Sequence, residues 1–265
     1  MFSTIFSKTL YGLRWQFFGW FVAIFFTAFI TMVMYPSFSQ AGIESLVDSV
    51  PESLKSFVGN ASDFNTVPGF IGQQVFGPNL YIISIIMAIL IFIAISASEE
   101  SDGRLQSLLA LPVSRSQVYL EKYFAAMLIV SALSLSVIAA IGLSLFAIGE
   151  SADLWRIIQS AIGFTLLNVA YGTIAFAAAM FTGNKSITLL IVSGYAVASL
   201  FVSNLAPAVD KLAFVDKFSL IHYYNNPQTM TNGLEISNVL TMLAVIVALG
   251  AIGLVGFTRR DIKAN

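Results

Sequence analysis

The sequence predicts an all-α integral membrane protein, on three observations. Hydrophobic residues fill 57% of the 265 positions and charged residues only 10%, against roughly 25% charged in soluble domains. The mean hydropathy is +0.85. Six apolar stretches contain no Asp, Glu, Lys, Arg or His, and each approaches or exceeds the about 20 residues a helix needs to cross the hydrocarbon core. Such a chain cannot cover a water-facing surface. The absence of Cys excludes a disulfide framework, a thiolate metal site and a Cys nucleophile. A single His weighs against a His-based metal cluster. A net charge of −1 argues against nucleic acid as a partner.

The stretches lie at 15–35, 79–98, 123–148, 157–182, 187–206 and 237–257. An even number of spans puts both termini on one side. With the N-terminus in the cytoplasm, the inner segments hold nine cations (Lys8, Arg14, Arg104, Arg115, Lys122, Lys185, Arg259, Arg260 and Lys263) and the outer ones four (Lys55, Arg156, Lys211 and Lys217). Cations favour the cytoplasmic side, so the predicted orientation is N-in, C-in.

The first apolar run is too long for a signal-peptide core and no small-residue cleavage site follows it, so it is read as a retained span. Before it, Phe2, Ile5, Phe6, Leu10 and Leu13 alternate with Lys8 and Arg14. This fits a short amphipathic helix on the inner leaflet, with a disordered tail as the alternative. Residues 36–78 read as a long, mostly polar outer loop broken by Pro36, Pro51, Pro68 and Pro78, with a short surface helix near 45–58. The second outer segment, 207–236, is amphipathic and aromatic (Phe214, Phe218, Tyr223, Tyr224). It lies flat on the outer leaflet or dips into it. No linker, low-complexity tract or internal repeat divides the chain, so 1–265 reads as a single transmembrane domain.

The inner segment between spans two and three is the informative one. Residues 98–115 hold five of the chain's 27 charged residues. Leu105, Leu108 and Leu109 fall at i, i+3, i+4, which makes a short helix with one apolar stripe. Pro112 ends it. Ser114 then caps a second helix, with Gln117 placed to complete a capping box, so the third span begins near Arg115 and runs over 115–148. Arg115, Glu121 and Lys122 are expected at or below the headgroups. A plain polar connector would account for the charge. The helix–break–helix pattern fits better a ledge that docks in a groove of a cytoplasmic partner and carries its motion into the spans.

These residues carry a resemblance. Glu99, Glu100, Gly103, Leu105, Leu108, Leu109, Pro112-Val113-Ser114-Arg115 and Lys122 are similar to the cytoplasmic signature of type-2 ATP-binding-cassette (ABC) exporter permeases. Arg104 departs from it where Thr is common, and Glu121 where Gly often precedes the Lys. The ending Phe257-Thr258-Arg259-Arg260-Asp261-Ile262 and the stretch Tyr223-Tyr224-Asn225-Asn226-Pro227 resemble the same family. The resemblance implies a prokaryotic plasma-membrane subunit that pairs with a second permease half, a copy of itself or a different chain, and with two ATPase subunits. ATP and Mg would reside in those partners. The ledge, with Glu99, Glu100, Asp102, Arg104 and Arg115, would be the coupling element. Asp at Leu108 and Leu109 is then expected to break the association and leave insertion intact.

The residues bear on the energy source without the family. An ion-coupled carrier usually keeps an ionisable group inside the membrane, and the spans have none. A phosphate-binding loop needs G-x-x-x-x-G-K-[ST], and Gly183-Asn184-Lys185-Ser186 lacks two of its elements. No H-E-x-x-H occurs, and His222 reads as an interfacial aromatic. The chain is therefore expected to be no enzyme and to carry no cofactor. Phe18, Phe21, Phe25 and Phe29 in the first span are candidates for an apolar cargo wall, with lipid contact and helix packing as the other roles. Asn168 and Tyr171 are candidates for a cavity lining, with interhelical hydrogen bonding as the alternative. The mostly apolar spans favour a hydrophobic or amphipathic cargo. Two other functions fit the composition: a carrier or channel that works without ATP, and a permease-shaped subunit that transmits force or anchors a complex.

Overall fold

The computed structural model describes residues 4–40, 65–224 and 226–260. The expected helix near 45–58 and the terminal Asp261 and Ile262 lie outside them. All regular structure among the described residues is helical, and the protein is an all-α integral membrane protein. Its main elements are α1 (Ile5–Gly12), α2 (Arg14–Val33), α3 (Pro78–Ala94), α4 (Ala97–Ser101), α5 (Arg104–Leu109), α6 (Arg115–Ile148), α7 (Leu154–Thr182), α8 (Lys185–Leu205) and α9 (Ile236–Arg259). Six of the described helical stretches are long and apolar enough to cross a membrane.

The N-terminal residues form the helix rather than a tail. Thr4 caps α1, its Oγ1 accepting from the Ser7 N–H at 3.2 Å. The Phe6 N–H donates to Glu121 at 2.9 Å, which ties α1 to α6. The first span runs through Arg14–Val33 and continues as a short helix, Tyr35–Gln40. At Ser114 only half of the capping box forms. Its Oγ accepts from the Gln117 N–H at 3.1 Å, while the Gln117 side chain turns along the helix to donate to Glu121 at 2.8 Å. With 34 residues, α6 is about 51 Å long at 1.5 Å per residue. That exceeds the about 30 Å hydrocarbon core, so α6 projects beyond it.

Lipid is as apolar as Leu, so helices in a membrane associate through close packing rather than water exclusion. Small residues therefore decide which span is central. In α7, Ala161, Gly163, Ala170, Gly172, Ala175 and Ala179 are buried, and α7 packs along α9, α3 and α6. The ring of Phe92 on α3 fills the place a Cβ would take at Gly172. A Cβ at Gly253 on α9 would lie 2.5 Å from the Tyr119 hydroxyl and 3.0 Å from Ala177. The glycines of the last span thus serve packing within the chain. In their most apolar windows α3 and α7 are each 72% buried, against 17% for the first span, 17% for α8 and 22% for α9. Two spans form the axis, and three present most of their surface outward.

The described part of the first outer loop is not a polar surface loop. Residues Val67–Phe70 and the π-turn Ile71–Val75 fold back onto the bundle, burying Val67, Phe70, Ile71, Val75 and Phe76. This run is apolar but too short to span and is broken by Pro68, Gly69 and Gly72, so burial against the bundle is the arrangement open to it. Gly77 closes the turn where any Cβ would strike the carbonyl of Gln73. The second outer segment is anchored to the bundle at one part and exposed at another. Leu220, Ile221 and Tyr224 are buried among the spans, while Phe214 and Phe218 are exposed. The Tyr224 hydroxyl donates to the Phe76 carbonyl at 2.9 Å, joining the two segments.

Candidate functional site

The site is the ledge, and it starts from a break in α3. The helix ends at Ala94, and the Ser96 hydroxyl turns back to donate to the Phe92 carbonyl at 2.6 Å. The chain then forms α4, reverses at Gly103 and forms α5. Gly103 has φ +73°, a conformation open to glycine at little cost and strained for other residues.

Breaking a helix leaves carbonyls without intrahelical donors. Lys122, on α6, meets that need: its Nζ donates to the Ile95 carbonyl at 3.0 Å. The same ammonium pairs with Glu99, and the Lys122 residue is only 1% exposed. Lys122 is thus buried inside the chain, and a buried ammonium needs both partners to offset its lost hydration. Glu100 pairs with Arg260, just past the end of the last span. The Arg260 carbonyl accepts from Arg115 Nη1 at 2.5 Å. The turn between α7 and α8 closes over this pair. At Gly183, with φ +61°, a Cβ would meet the Arg260 guanidinium and lie 2.6 Å from Glu100 Oε1. The acidic pair therefore ties the ledge to the inner ends of the third and sixth spans. Neither tie is legible in the sequence, although the acidic pair and the terminal arginines both stand out there. Opposite charges expected on one side of a membrane were the signal available.

The sequence-marked residues fall into two groups. Leu105 and Leu108 are buried in the chain's own body and Leu109 packs partly against it. This corrects the expectation that the leucine stripe enters a partner's groove: the stripe holds the ledge to the bundle. Asp at Leu108 would disturb the ledge itself. The exposed residues of the ledge include Asp102, Gly103, Arg104, Ser107, Leu111 and Pro112, of which Asp102, Arg104, Ser107 and Leu111 also border the cavity beside it. Asp102 and Arg104 pair with each other in solvent, where such a pair contributes about 0–1 kcal/mol.

Two sets of span residues also need correction. The aromatic column of the first span is Phe17, Phe21, Phe25 and Phe29, with successive ring centroids 6.3, 5.4 and 6.4 Å apart. Phe18 stands outside it, exposed. A spacing of four keeps rings on one helix face, and this face packs against the core. Asn168 is fully buried and donates to the Ser134 hydroxyl at 3.0 Å, a link between α7 and α6. Tyr171 is fully buried, its ring 5.7 Å from that of Tyr195. A cavity of about 980 Å³ opens beside the ledge, and Phe21, Phe25, Asn168 and Tyr171 are not in its lining. Its walls come from α1, the first turns of α2, the end of α3, the ledge, Lys122 of α6 and Lys185 of α8.

His222 is more than an interfacial aromatic. Its Nδ1 lies 2.6 Å from Asp216, which accepts from the Ser203 hydroxyl at 2.5 Å. The hydroxyl that could act as a nucleophile is bonded to the carboxylate, not to the imidazole, so the group fastens the second outer segment to α8.

Six membrane-length helices around a small-residue axis, with a short helical ledge clamped to two of them, define a multi-pass membrane protein. The chain belongs to the family described as "multidrug efflux system permease Rv1217c, C-terminal domain", which matches residues 10–258. It is accordingly a membrane permease of an efflux-system family. No curated protein matches the chain.

Proposed function

We propose that this chain is the transmembrane half of an ATP-driven exporter of the type-2 ABC class, resident in the plasma membrane, and that a separate ATPase subunit drives it through the ledge. The observation that carries this reading is the double clamp. Glu99–Lys122 and Glu100–Arg260 fix α4 and α5 to the third and sixth spans. A push on the exposed side of α5 therefore moves two spans rather than a loose loop. The resemblance of the ledge to the type-2 signature supports the same conclusion. The chain hydrolyses nothing itself, and ATP and Mg belong to the partner.

In the present protein a second permease half, a copy of this chain or a different one, supplies the counterpart, facing spans whose sides are largely exposed. The cargo is hydrophobic or amphipathic, in keeping with the multidrug efflux system named by the family.

The test is co-purification from native membranes and quantification of an ABC-type ATPase in the eluate. Leu111→Asp and Arg104→Glu, both on the exposed side, are expected to remove the ATPase while membrane insertion is unchanged. Retention of the ATPase by both variants, or transport by the reconstituted chain alone, would overturn the reading.

A further inference from the structure

The cavity beside the ledge contains an excess of charge that the fold does not use. Four cations line it: Lys8, Arg104, Lys122 and Lys185. Lys122 is held by Glu99 and the Ile95 carbonyl, and Arg104 by Asp102. Lys8 and Lys185 have no anionic partner among the described residues, and both are exposed. They come from different elements, α1 and the first residue of α8, so a helix-face repeat does not explain their presence in one cavity. The N-terminus of α8 adds partial positive charge on the same side. The two acids in the lining, Glu99 and Asp102, are already committed.

The rest of the wall mixes polar side chains (Thr9, Gln16, Ser98 and Ser107) with an apolar side. Trp20 belongs to the first span, and Leu90 and Ile93 to the second. Leu90 is an exposed large side chain within its span. One volume of about 980 Å³ thus joins two free ammonium groups to an aromatic and aliphatic surface. A small soluble anion satisfies the first and leaves the second uncovered. A neutral oil does the reverse.

We propose that this cavity binds an anionic amphiphile of the cytoplasmic leaflet. Its phosphate or carboxylate headgroup sits between Lys8 and Lys185, and its hydrocarbon chain lies along Trp20 and Leu90. The inference requires the cavity alone and stands apart from the ATP-driven reading.

The experiment uses Trp20 as the reporter. The full chain carrying Trp15→Phe and Trp155→Phe retains Trp20 as its single tryptophan. It is reconstituted in phosphatidylcholine vesicles containing a minor fraction of either dibrominated phosphatidylglycerol or dibrominated phosphatidylcholine. Bromine quenches only rings it touches. Each lysine near a headgroup favours an anionic lipid, so two predict a roughly ten-fold or greater preference for the brominated anion in the apparent association constant. Lys8→Gln with Lys185→Gln is expected to abolish the preference. Lys8→Arg with Lys185→Arg should keep it, as should Arg259→Gln, which removes an inner-face cation outside the cavity. Three results would overturn the proposal. They are equal quenching by the two lipids, a preference that Arg259→Gln reduces as much as the lysine pair does, and relief of quenching by inorganic phosphate, which would assign the site to a soluble anion.

Discussion

The two ends of the bundle are closed by different chemistry. On the inner face the ledge is held by Glu99–Lys122 and Glu100–Arg260. On the outer face the returning segments are packed mainly through rings, beside the Asp216 group and the Tyr224–Phe76 hydrogen bond. Phe76 lies 5.7 Å from Phe164, Tyr81 lies 5.9 Å from Tyr224, and Tyr35 lies 5.3 Å from Phe70. Ion pairs have direction and fixed partners, so they transmit a displacement from one element to a named other. An aromatic cluster is held by shape over many weak contacts and yields in any direction. On the proposed ATP-driven reading, the inner end receives the force and the outer end seals the bundle.

The sharpest test of the contrast pairs one substitution at each end. Phe76→Ala is expected to cost about 3–5 kcal/mol, as large aromatic truncations do. Lys122→Met is expected to cost a similar amount, about 3–5 kcal/mol, because it strands a largely buried Glu99. Thermal unfolding in a fixed detergent measures both. The two ends should differ in rescue. Adding Glu99→Met to Lys122→Met removes the stranded charge and should recover most of the loss. A second truncation beside Phe76 should only deepen it. Failure of the inner rescue would show that the pair acts by packing.

Arg260→Gln is the next largest, expected at about 1.5–3 kcal/mol, the range for hydrogen bonds to charged groups. Its distinctive readout is limited proteolysis, which should release the C-terminus while the outer segments stay protected. Gly183→Ala should cost about 1–2 kcal/mol from the left-handed backbone alone, and more because its methyl meets the Glu100–Arg260 pair. The smallest effect belongs to Arg104→Gln. Its pair with Asp102 lies in solvent, so stability should change by less than about 1 kcal/mol. A larger drop would mean that the exposed side of the ledge is structural, and would weaken its assignment as a partner surface.

Much of this architecture was legible in advance. Hydropathy located six spans because a helix in lipid must satisfy its own backbone and present apolar side chains outward, and both demands are written residue by residue. The start of α6 was legible because a capping serine acts over three positions. The short helix over Leu105, Leu108 and Leu109 was legible from its period, but not the direction its stripe faces. Periodicity defines a face without saying what covers it, and here the cover is the chain's own bundle. The buried stretch at 65–77 was hidden because its length and its Pro and Gly content match those of a loop.

What the sequence alone determined, then, is the number of spans, their approximate positions and the location of the ledge, since each follows from local composition and neighbours a few residues apart; the break at Ala94, inside the expected span 79–98, came only with the structure. Which carboxylate meets which cation was decided only by the tertiary structure. Glu99 and Lys122 are 23 positions apart, and Glu100 and Arg260 are 160 apart. An ion pair acts over a few ångströms in space, and the folded bundle alone brings those positions together.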